Sequence, residues 1–185
     1  PSGNFGNLCA GMLAKKMGLP INHFVASTNE NDTVPKFMKT GKYEKQKTIS
    51  TITNAMDVGD PSNFVRILSL YDNNFNELKK ELTAYKFSDE ETILGIRELY
   101  HKSKYLIDPH GATAFLGLKK YMFNNPETIG LFLETAHPVK FMDTVENALN
   151  IKINIPQHIL ELKKKERSKI QIREYKQLKS FLLSR

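Results

Sequence analysis

A chain of 185 residues is long enough to fold as one domain with a real core. Hydrophobic residues make up 40% of it and charged residues 25%, which indicates a globular chain, and no apolar run approaches the length of a membrane span. The net charge is +7, but residues 161–185 hold nine basic and only three acidic residues, so the excess charge does not indicate a folded nucleic-acid surface.

The first seven residues form a polar loop interrupted by glycines, and an apolar helix is predicted to follow it from about Asn7 to Gly18. Gly3 and Gly6 allow a ligand to approach the main chain closely. The free N–H groups and positive end of the helix face the same loop, which suits an anion and best of all a phosphate. The same Gly-x-x-Gly spacing also occurs in plain turns, and this alternative stays open at the level of the pattern.

Short elements are predicted next. Residues 23–26 have the apolar pattern of a buried strand, and Asn31 or Asp32 is placed to cap a helix that ends at Gly41. The β-branched residues 48–53 predict a strand or an extended segment. Pro61 suits the first turn of the helix that follows.

Residues 72–105 are predicted to be a polar, peripheral helical insert, in which Ser88 and Glu91 form a capping box. The sequence then predicts a helix over 112–122, a buried strand over 128–134, and a helix from Pro138 to about Leu149. In the basic C-terminal segment, apolar residues recur at helical spacing. This is typical of an amphipathic helix with a solvated basic face, with steering of an anionic substrate as a lesser role.

Cysteine and histidine usage narrows the chemistry. Cys9 is the only cysteine, so an intrachain disulfide is excluded, and a reducing, cytoplasmic compartment fits. No His, Cys or carboxylate pair has metal-ligand spacing, so no transition-metal site is predicted.

Five motifs follow one another between residues 1 and 141 and share a single family pattern. They are PSGNFGN at 1–7, STNENDTVP at 27–35, NAMDVGDPSNFVR at 54–66, DPHGATA at 108–114 and ETAHPVKF at 134–141. Together they resemble threonine synthase, a family of fold type II enzymes that use pyridoxal phosphate.

The resemblance implies an α/β fold that is part of the large cofactor domain of a tryptophan-synthase-like (fold type II) enzyme. This domain has parallel strands with flanking helices, and here it would carry the helical insert at 72–105. Residues 1–150 are then the C-terminal part of the catalytic domain that binds pyridoxal phosphate. Residues 151–185 are a basic helical extension.

The implied reaction converts O-phospho-L-homoserine and water to L-threonine and phosphate. In this family the lysine that forms a Schiff base with the cofactor lies in an N-terminal half that would precede these residues. We therefore expect this chain to contain no catalytic residue, to be inactive alone, and to need that N-terminal half as its partner. The alternatives are a related phospho-lyase that releases 2-oxobutanoate and a non-catalytic homologue; no nucleic-acid or membrane partner is expected.

The cofactor residues implied by the resemblance are in two places. The loop would hold the cofactor phosphate, largely through backbone N–H groups, with the residues Gly3, Asn4, Phe5, Gly6 and Asn7. Thr135, predicted at a strand end, would be the hydrogen-bond partner of the pyridine nitrogen. Without the resemblance it is as well explained as an ordinary strand-end hydroxyl.

The substrate candidates are polar residues in or beside the motifs: Asn29, Asn31, Asp32, Arg66 and His137. Arg66 could bind a carboxylate or phosphate through two hydrogen bonds, or it could be a surface ion-pair residue. Asn31 and Asp32 could instead cap the next helix. His137, directly before a proline, is expected to be a fixed hydrogen-bonding residue near the cofactor rather than a proton carrier, and His110 is expected to act in the same way.

Overall fold

The structure, a computed structural model, describes residues 1–166 and 168–184. It divides into two compact units, Pro1–Ile153 and Asn154–Arg185, and each is described here by itself. In the second unit the described helices are α8 (Gln157–Lys163) and α9 (Tyr175–Leu183), and Glu174 and Gln177 form a capping box at the start of α9. Two basic residues of this segment, Arg167 and Arg185, lie outside the described residues.

The first unit is built around two parallel strands, β1 (Phe24–Thr28) and β2 (Leu82–Lys86), which pair in register from Phe24 opposite Leu82 to Thr28 opposite Lys86. The helices of this unit, in chain order, are α1 (Gly6–Lys16), α2 (Thr33–Thr40), α3 (Phe64–Leu70), α4 (Phe75–Glu81), α5 (Asp89–Ser103), α6 (Pro109–Asn124) and α7 (Met142–Leu149). Short 3-10 turns lie at Asn54–Met56 and Pro138–Phe141.

Two hydrophobic clusters stabilise this unit. The first is rich in aromatic rings: the Phe37 ring packs edge-on against Phe64 and Phe75, each with a centroid distance of 5.3 Å, and Phe64 packs against Phe5 at 5.5 Å. The second cluster is aliphatic and lies under α5, α6 and α7. Because Phe5 belongs to the first cluster, the loop before α1 is fixed to the core by its own side chain.

Helix α6 lies directly on β1. A Cβ atom on Gly117 would overlap the hydroxyl of Ser27, so only glycine permits this approach. On another side of α6, the side chain of Leu116 packs closely against Gly95 of α5. The helix therefore lies between the strand pair and α5, and this packing fixes its position.

The α/β class with parallel strands is confirmed, and so is the capping box at Ser88 and Glu91. The helical insert at 72–105 needs a correction, because it also contains β2. It is not peripheral either, since Leu78, Leu82 and Ile96 are fully buried. The strand was missed because its sequence, Leu-Thr-Ala-Tyr-Lys, follows a charged helical stretch and has no long β-branched run.

One further strand prediction is wrong for the described residues, because residues 128–134 form no strand. Residues 48–53, predicted as a strand or an extended segment, also belong to no strand, and the last two of them lie in a turn. In the 128–134 segment Ile129, Leu131 and Leu133 are exposed while Phe132 packs against Phe115. A short continuous apolar run such as Ile-Gly-Leu-Phe-Leu predicts a buried strand, but a strand also needs a neighbouring backbone to pair with, and none of the described residues provides one here.

Candidate cofactor and substrate site

The loop at residues 1–7 is closed by its own polar side chains. The backbone N–H of Ser2 donates to the carbonyl of Ser27 on β1 (3.0 Å), and the Ser2 hydroxyl donates to Asn7 Oδ1 (2.7 Å). Asn7 Nδ2 in turn donates to the carbonyl of Pro1 (2.8 Å). The side chains of Ser2 and Asn7 therefore shape the loop and are already engaged with protein atoms.

The backbone N–H groups of the rest of this loop, unlike these side chains, are not engaged with protein atoms in the described part of the chain. Phe5 adopts a left-handed conformation (φ 62°) with its ring buried, and α1 begins at the next residue. Among the described residues, none accepts a hydrogen bond from the backbone N–H groups of residues 3–8. The first turn of α1 also carries no acidic side chain. Several unengaged N–H donors at the positive end of a helix fit a phosphate group.

The 54–66 motif supports the loop from outside. Asn4 Oδ1 accepts hydrogen bonds from the backbone N–H of Ser62 (2.6 Å) and from its hydroxyl (3.0 Å). A Cβ atom on Gly3 would lie only 2.5 Å from the Cα of Met56, so the backbones of the loop and the 54–56 turn are in direct contact. Gly3 is needed there for close approach. The structure thus joins two of the five motifs at one place.

The 108–114 motif starts α6 and is buried. Asp108 is the N-cap: its Oδ1 accepts from the backbone N–H of His110 (2.8 Å) and from the His110 ring (2.7 Å to Nδ1). The helix predicted from residue 112 therefore begins three residues earlier, at Pro109, and Asp followed by Pro is the signal for that start. Despite the burial of Asp108, which acts to raise its pKa, hydrogen bonds from His110 and Glu134 hold that pKa below its usual value.

Glu134 contacts this helix start through its carboxyl group. Although the residue as a whole is exposed, its Oε1 accepts weakly from the backbone N–H of Asp108 (3.4 Å), and its Oε2 lies over Gly111. Burial of this carboxyl, together with the hydrogen bond and the negative charge of Asp108, raises the pKa of Glu134 to about 8. The raised pKa favours the protonated form of Glu134 near neutral pH, whereas the pKa of Asp108 is lowered.

Thr135 and His137 lie directly after Glu134 in an open hollow of about 510 Å³, which is lined by Tyr105, Leu106, Glu134, Thr135, Ala136, His137 and Pro138. Thr135 is exposed and, contrary to the sequence prediction, does not end a strand. His137 is also exposed; its Nδ1 accepts from the backbone N–H of Val139 (3.1 Å), which fixes the ring at the start of the following turn.

The first two substrate candidates are buried in a polar network. Asn29 Nδ2 lies within hydrogen-bond distance of Thr51 Oγ1 (2.8 Å), Thr53 Oγ1 (3.0 Å) and Asp57 Oδ1 (2.8 Å). Asn29 Oδ1 accepts from the backbone N–H (3.0 Å) and side chain (2.9 Å) of Asn31. The amide group of Asn29 is therefore engaged with protein atoms and holds the 51–57 segment against the end of β1.

The remaining substrate candidates, Asp32 and Arg66, differ in their surroundings. Asp32 occupies the N-cap position of α2 without capping it through its side chain, and it forms ion pairs with Lys36 (2.9 Å) and Lys86 (3.6 Å). Burial acts to raise the pKa of Asp32, but the hydrogen bond and charge of Lys36 outweigh it and lower that pKa. Arg66 is exposed on α3, and among the described residues it has no ion-pair partner.

The structure therefore brings the loop, the 54–66 motif and the 108–114 motif together, with Glu134 attached to the last. Within the described residues, no hydrogen bond or ion pair joins Thr135 or Arg66 to the loop. No group of three or more His, Cys, Asp or Glu side chains there could hold a metal ion, and every described helix is too short or too polar to cross a bilayer.

Comparison with known proteins agrees with this arrangement. A family model described as "Pyridoxal-phosphate dependent enzyme" matches residues 1–132, and one described as "Threonine synthase, C-terminal" matches residues 112–182. A threonine synthase of Buchnera aphidicola (subsp. Schizaphis graminum) is 44% identical over the whole of this chain, which covers 42% of that relative.

Two solved structures are similar in fold. The threonine synthase of Escherichia coli has a TM-score of 0.81 at 43% identity, and the match covers 87% of this chain and 37% of that one. The threonine synthase of Brucella melitensis, described as PLP-bound, has a TM-score of 0.77 at 28% identity, with 91% of this chain and 41% of that one covered.

The chain spans about 42% of the length of the first of these curated relatives, and the resemblance to threonine synthase that the five motifs carry is confirmed. The match to the family model over residues 1–132 includes the phosphate-suited loop, the strand pair and the whole of α6. It covers more than two thirds of the sequence. The chain belongs to the family of pyridoxal-phosphate dependent enzymes.

Proposed function

We propose that the chain is part of a threonine synthase that converts O-phospho-L-homoserine and water to L-threonine and phosphate. The observation that carries the proposal is the loop at the start of α1. It offers unengaged backbone donors to a phosphate, in a chain whose matched relatives are threonine synthases. Membership of the family indicates that the cofactor is pyridoxal phosphate, and the backbone donors of the loop fit the phosphate group of that cofactor.

In this proposal residues 3–7 bind that phosphate through their N–H groups. The side chains of Asn4 and Asn7 do not bind it, because they hold the loop to Ser62, Ser2 and Pro1. Phe5 orients the loop from the core side. A cradle made of backbone groups is pre-organised, so little conformational entropy is lost when the phosphate binds.

Pyridoxal phosphate, when bound, supplies an electron sink for the charge left when a proton leaves the substrate carbon. Thr135 is proposed to donate a hydrogen bond from its hydroxyl to the pyridine nitrogen, which then stays mostly unprotonated. A ring whose nitrogen is paired with a hydroxyl withdraws less charge than a ring whose nitrogen is paired with a carboxylate. This weaker withdrawal favours chemistry at the β and γ carbons. Its place in an open hollow leaves the hydroxyl accessible.

The substrate region is proposed to include Asn29, Asn31, Asp32, Arg66 and His137. Arg66 has the exposed guanidinium that an anionic substrate would pair with. The contacts of Asn29 and Asn31 support an indirect role, in which they hold residues 49–57 in place for binding. His137, tied to the turn that follows it, would orient a ligand rather than carry a proton.

The complete protein would supply the Schiff-base lysine from an N-terminal half that also completes the cofactor pocket, and it would act in the cytoplasm. We therefore expect the 185 residues alone to release no phosphate from O-phosphohomoserine. Release by this chain at the rate of the complete enzyme would contradict this part of the proposal.

The test is product analysis with the complete protein, pyridoxal phosphate and O-phosphohomoserine. L-Threonine together with phosphate in equal amounts supports the proposal. Release of 2-oxobutanoate with phosphate instead identifies a phospho-lyase on the same scaffold. Cofactor binding without any product, or no cofactor binding at all, indicates a non-catalytic homologue.

A further inference from the structure

His110 is the one histidine of the described residues whose ring is almost fully buried, with 2% of the residue exposed. Its Nδ1 lies 2.7 Å from Asp108 Oδ1, a carboxylate oxygen that only accepts. Its Nε2 lies 3.3 Å from the backbone nitrogen of Ala55, which only donates. The proton is therefore on Nδ1 and the free lone pair on Nε2, so both partners fix the same neutral tautomer.

Ala55 is the middle residue of the 54–56 turn, whose third residue, Met56, is buried. Asn54 and Ala55 are exposed, and the turn makes backbone hydrogen bonds only with its immediate neighbours in sequence. The bond from Ala55 to His110 is the contact that ties it to α6 across 55 residues of sequence.

The other side of the turn contacts the loop. A Cβ atom on Gly3 would lie 2.5 Å from the Cα of Met56 and 2.9 Å from its carbonyl carbon and oxygen. Backbone meets backbone at this point, and neither side can yield by rotating a side chain. The position of the turn therefore limits how far Gly3 can move, and the bond from Ala55 to His110 holds the turn there together with the buried side chain of Met56.

We propose that His110 is a positioning residue for the cofactor-phosphate loop: held by Asp108, it fixes the 54–56 turn against which Gly3 packs. The inference rests on the proposed cofactor role of the loop. It assigns His110 no contact with the cofactor or the substrate. Its effect is expected at the phosphate end of the site, because the turn contacts the loop at Gly3.

The test uses the complete protein and two ligands, pyridoxal phosphate and pyridoxal, which lacks the phosphate. The ratio of their dissociation constants, measured by absorbance titration, reports the phosphate loop. His110→Asn keeps a donor for Asp108 but cannot reach Ala55. It should reduce the preference for pyridoxal phosphate by about two- to tenfold, the range expected for one hydrogen bond, and leave pyridoxal affinity unchanged.

Three further variants complete the design. Ala55→Pro removes the donor itself from an exposed position and should reproduce the His110→Asn ratio, which also keeps the test decisive should His110→Asn fail to fold. His110→Gln places an acceptor oxygen near the former Nε2 and should restore most of the preference. His101→Asn makes the same side-chain change at an exposed position of α5 and should leave the ratio at its wild-type value.

An unchanged ratio in His110→Asn or Ala55→Pro would overturn the inference. Equal loss of affinity for both ligands would overturn it as well, because it would show a general structural role. These outcomes are distinct from a failure of the proposed function, in which the wild-type protein itself shows no preference for pyridoxal phosphate over pyridoxal.

Discussion

Single residues of the site fall into two groups according to whether their polar atoms are already engaged. Asn4, Asn7, Asn29 and Asn31 have side chains that are committed to holding other parts of the protein. The side chains of Thr135 and Arg66 are exposed and form no hydrogen bond or ion pair within the described residues. Side chains of the first kind shape a site, and those of the second kind are free to meet a ligand.

For Thr135, replacement by alanine in the complete protein is expected to lower kcat while cofactor affinity stays close to wild type. One lost hydrogen bond is worth about 0.5–1.5 kcal/mol, which is small beside the binding of the phosphate. Thr135→Asp should protonate the ring nitrogen and increase side products such as those of transamination. Steady-state kinetics, product analysis and cofactor titration measure the three effects.

Thr128→Ala is the matched control, because this threonine precedes the hollow and does not line it. Wild-type rates and product ratios in both Thr135 variants would reduce this residue to an ordinary exposed hydroxyl.

At the scale of elements, the start of α6 is where the site is best connected. The Asp108 cap, the buried His110 ring and the Glu134 carboxyl meet there, and Gly117 fixes the same helix on β1. A carboxyl group whose pKa is raised on folding makes the free energy of unfolding depend on pH.

The pH dependence of stability follows from Glu134. Its pKa is about 8 in the folded protein against an ordinary 4.5, so between these values the folded state keeps a proton that the unfolded state releases. The free energy of unfolding therefore falls as pH rises through this window. Glu134→Gln carries a neutral amide at every pH and loses this dependence.

We expect the melting temperature of Glu134→Gln, relative to wild type, to be higher at pH 8 than at pH 5. Thermal unfolding at both pH values measures this difference, and the exposed Glu127→Gln is the control. Parallel pH profiles for wild type and Glu134→Gln would contradict a raised pKa at this position.

Elements with local signals were predictable from the sequence. Ser88 and Glu91 are three residues apart and form their capping box without help from the rest of the fold, and Asn74 and Gly41 mark helix ends in the same way. The strand β2 was not predictable, because Leu82 to Lys86 become a strand only through pairing with β1. The error at 128–134 has the same cause, since strand formation depends on a neighbour that a local pattern does not contain.

The site shows the same division. The anion-binding character of residues 1–7 follows from glycines placed before a helix, which are local features. The tie from His110 to Ala55 spans 55 residues and depends on how α6 packs, so spacing alone could not reveal it. The Asp-Pro pair at 108–109 is the sequence signal for the start of α6, three residues before the predicted start at 112.

At the scale of the whole first unit, the candidate site is divided between two cores. The loop is anchored in the aromatic cluster through Phe5. The segment before Thr135 packs against the aliphatic cluster through Phe132. Helix α6 contacts both parts, since Gly117 meets β1 and Gly111 meets Glu134. The relative placement of the phosphate loop and Thr135 is therefore set by one helix.

The segment before Thr135 also affects how these 185 residues would behave in solution. Ile129, Leu131 and Leu133 alternate along the chain and are 96%, 91% and 59% exposed. A row of three bare aliphatic side chains is a site of non-specific self-association, and kosmotropic salts strengthen such contacts.

Light scattering from the isolated chain should rise with its concentration and with added ammonium sulfate, and the double variant Ile129→Lys, Leu131→Lys should suppress the rise. Asn124→Lys adds charge at an exposed position without removing an apolar side chain, and it should do much less. Equal suppression by both would point to net charge as the cause. Suppression by the double variant alone would assign this self-association to Ile129 and Leu131.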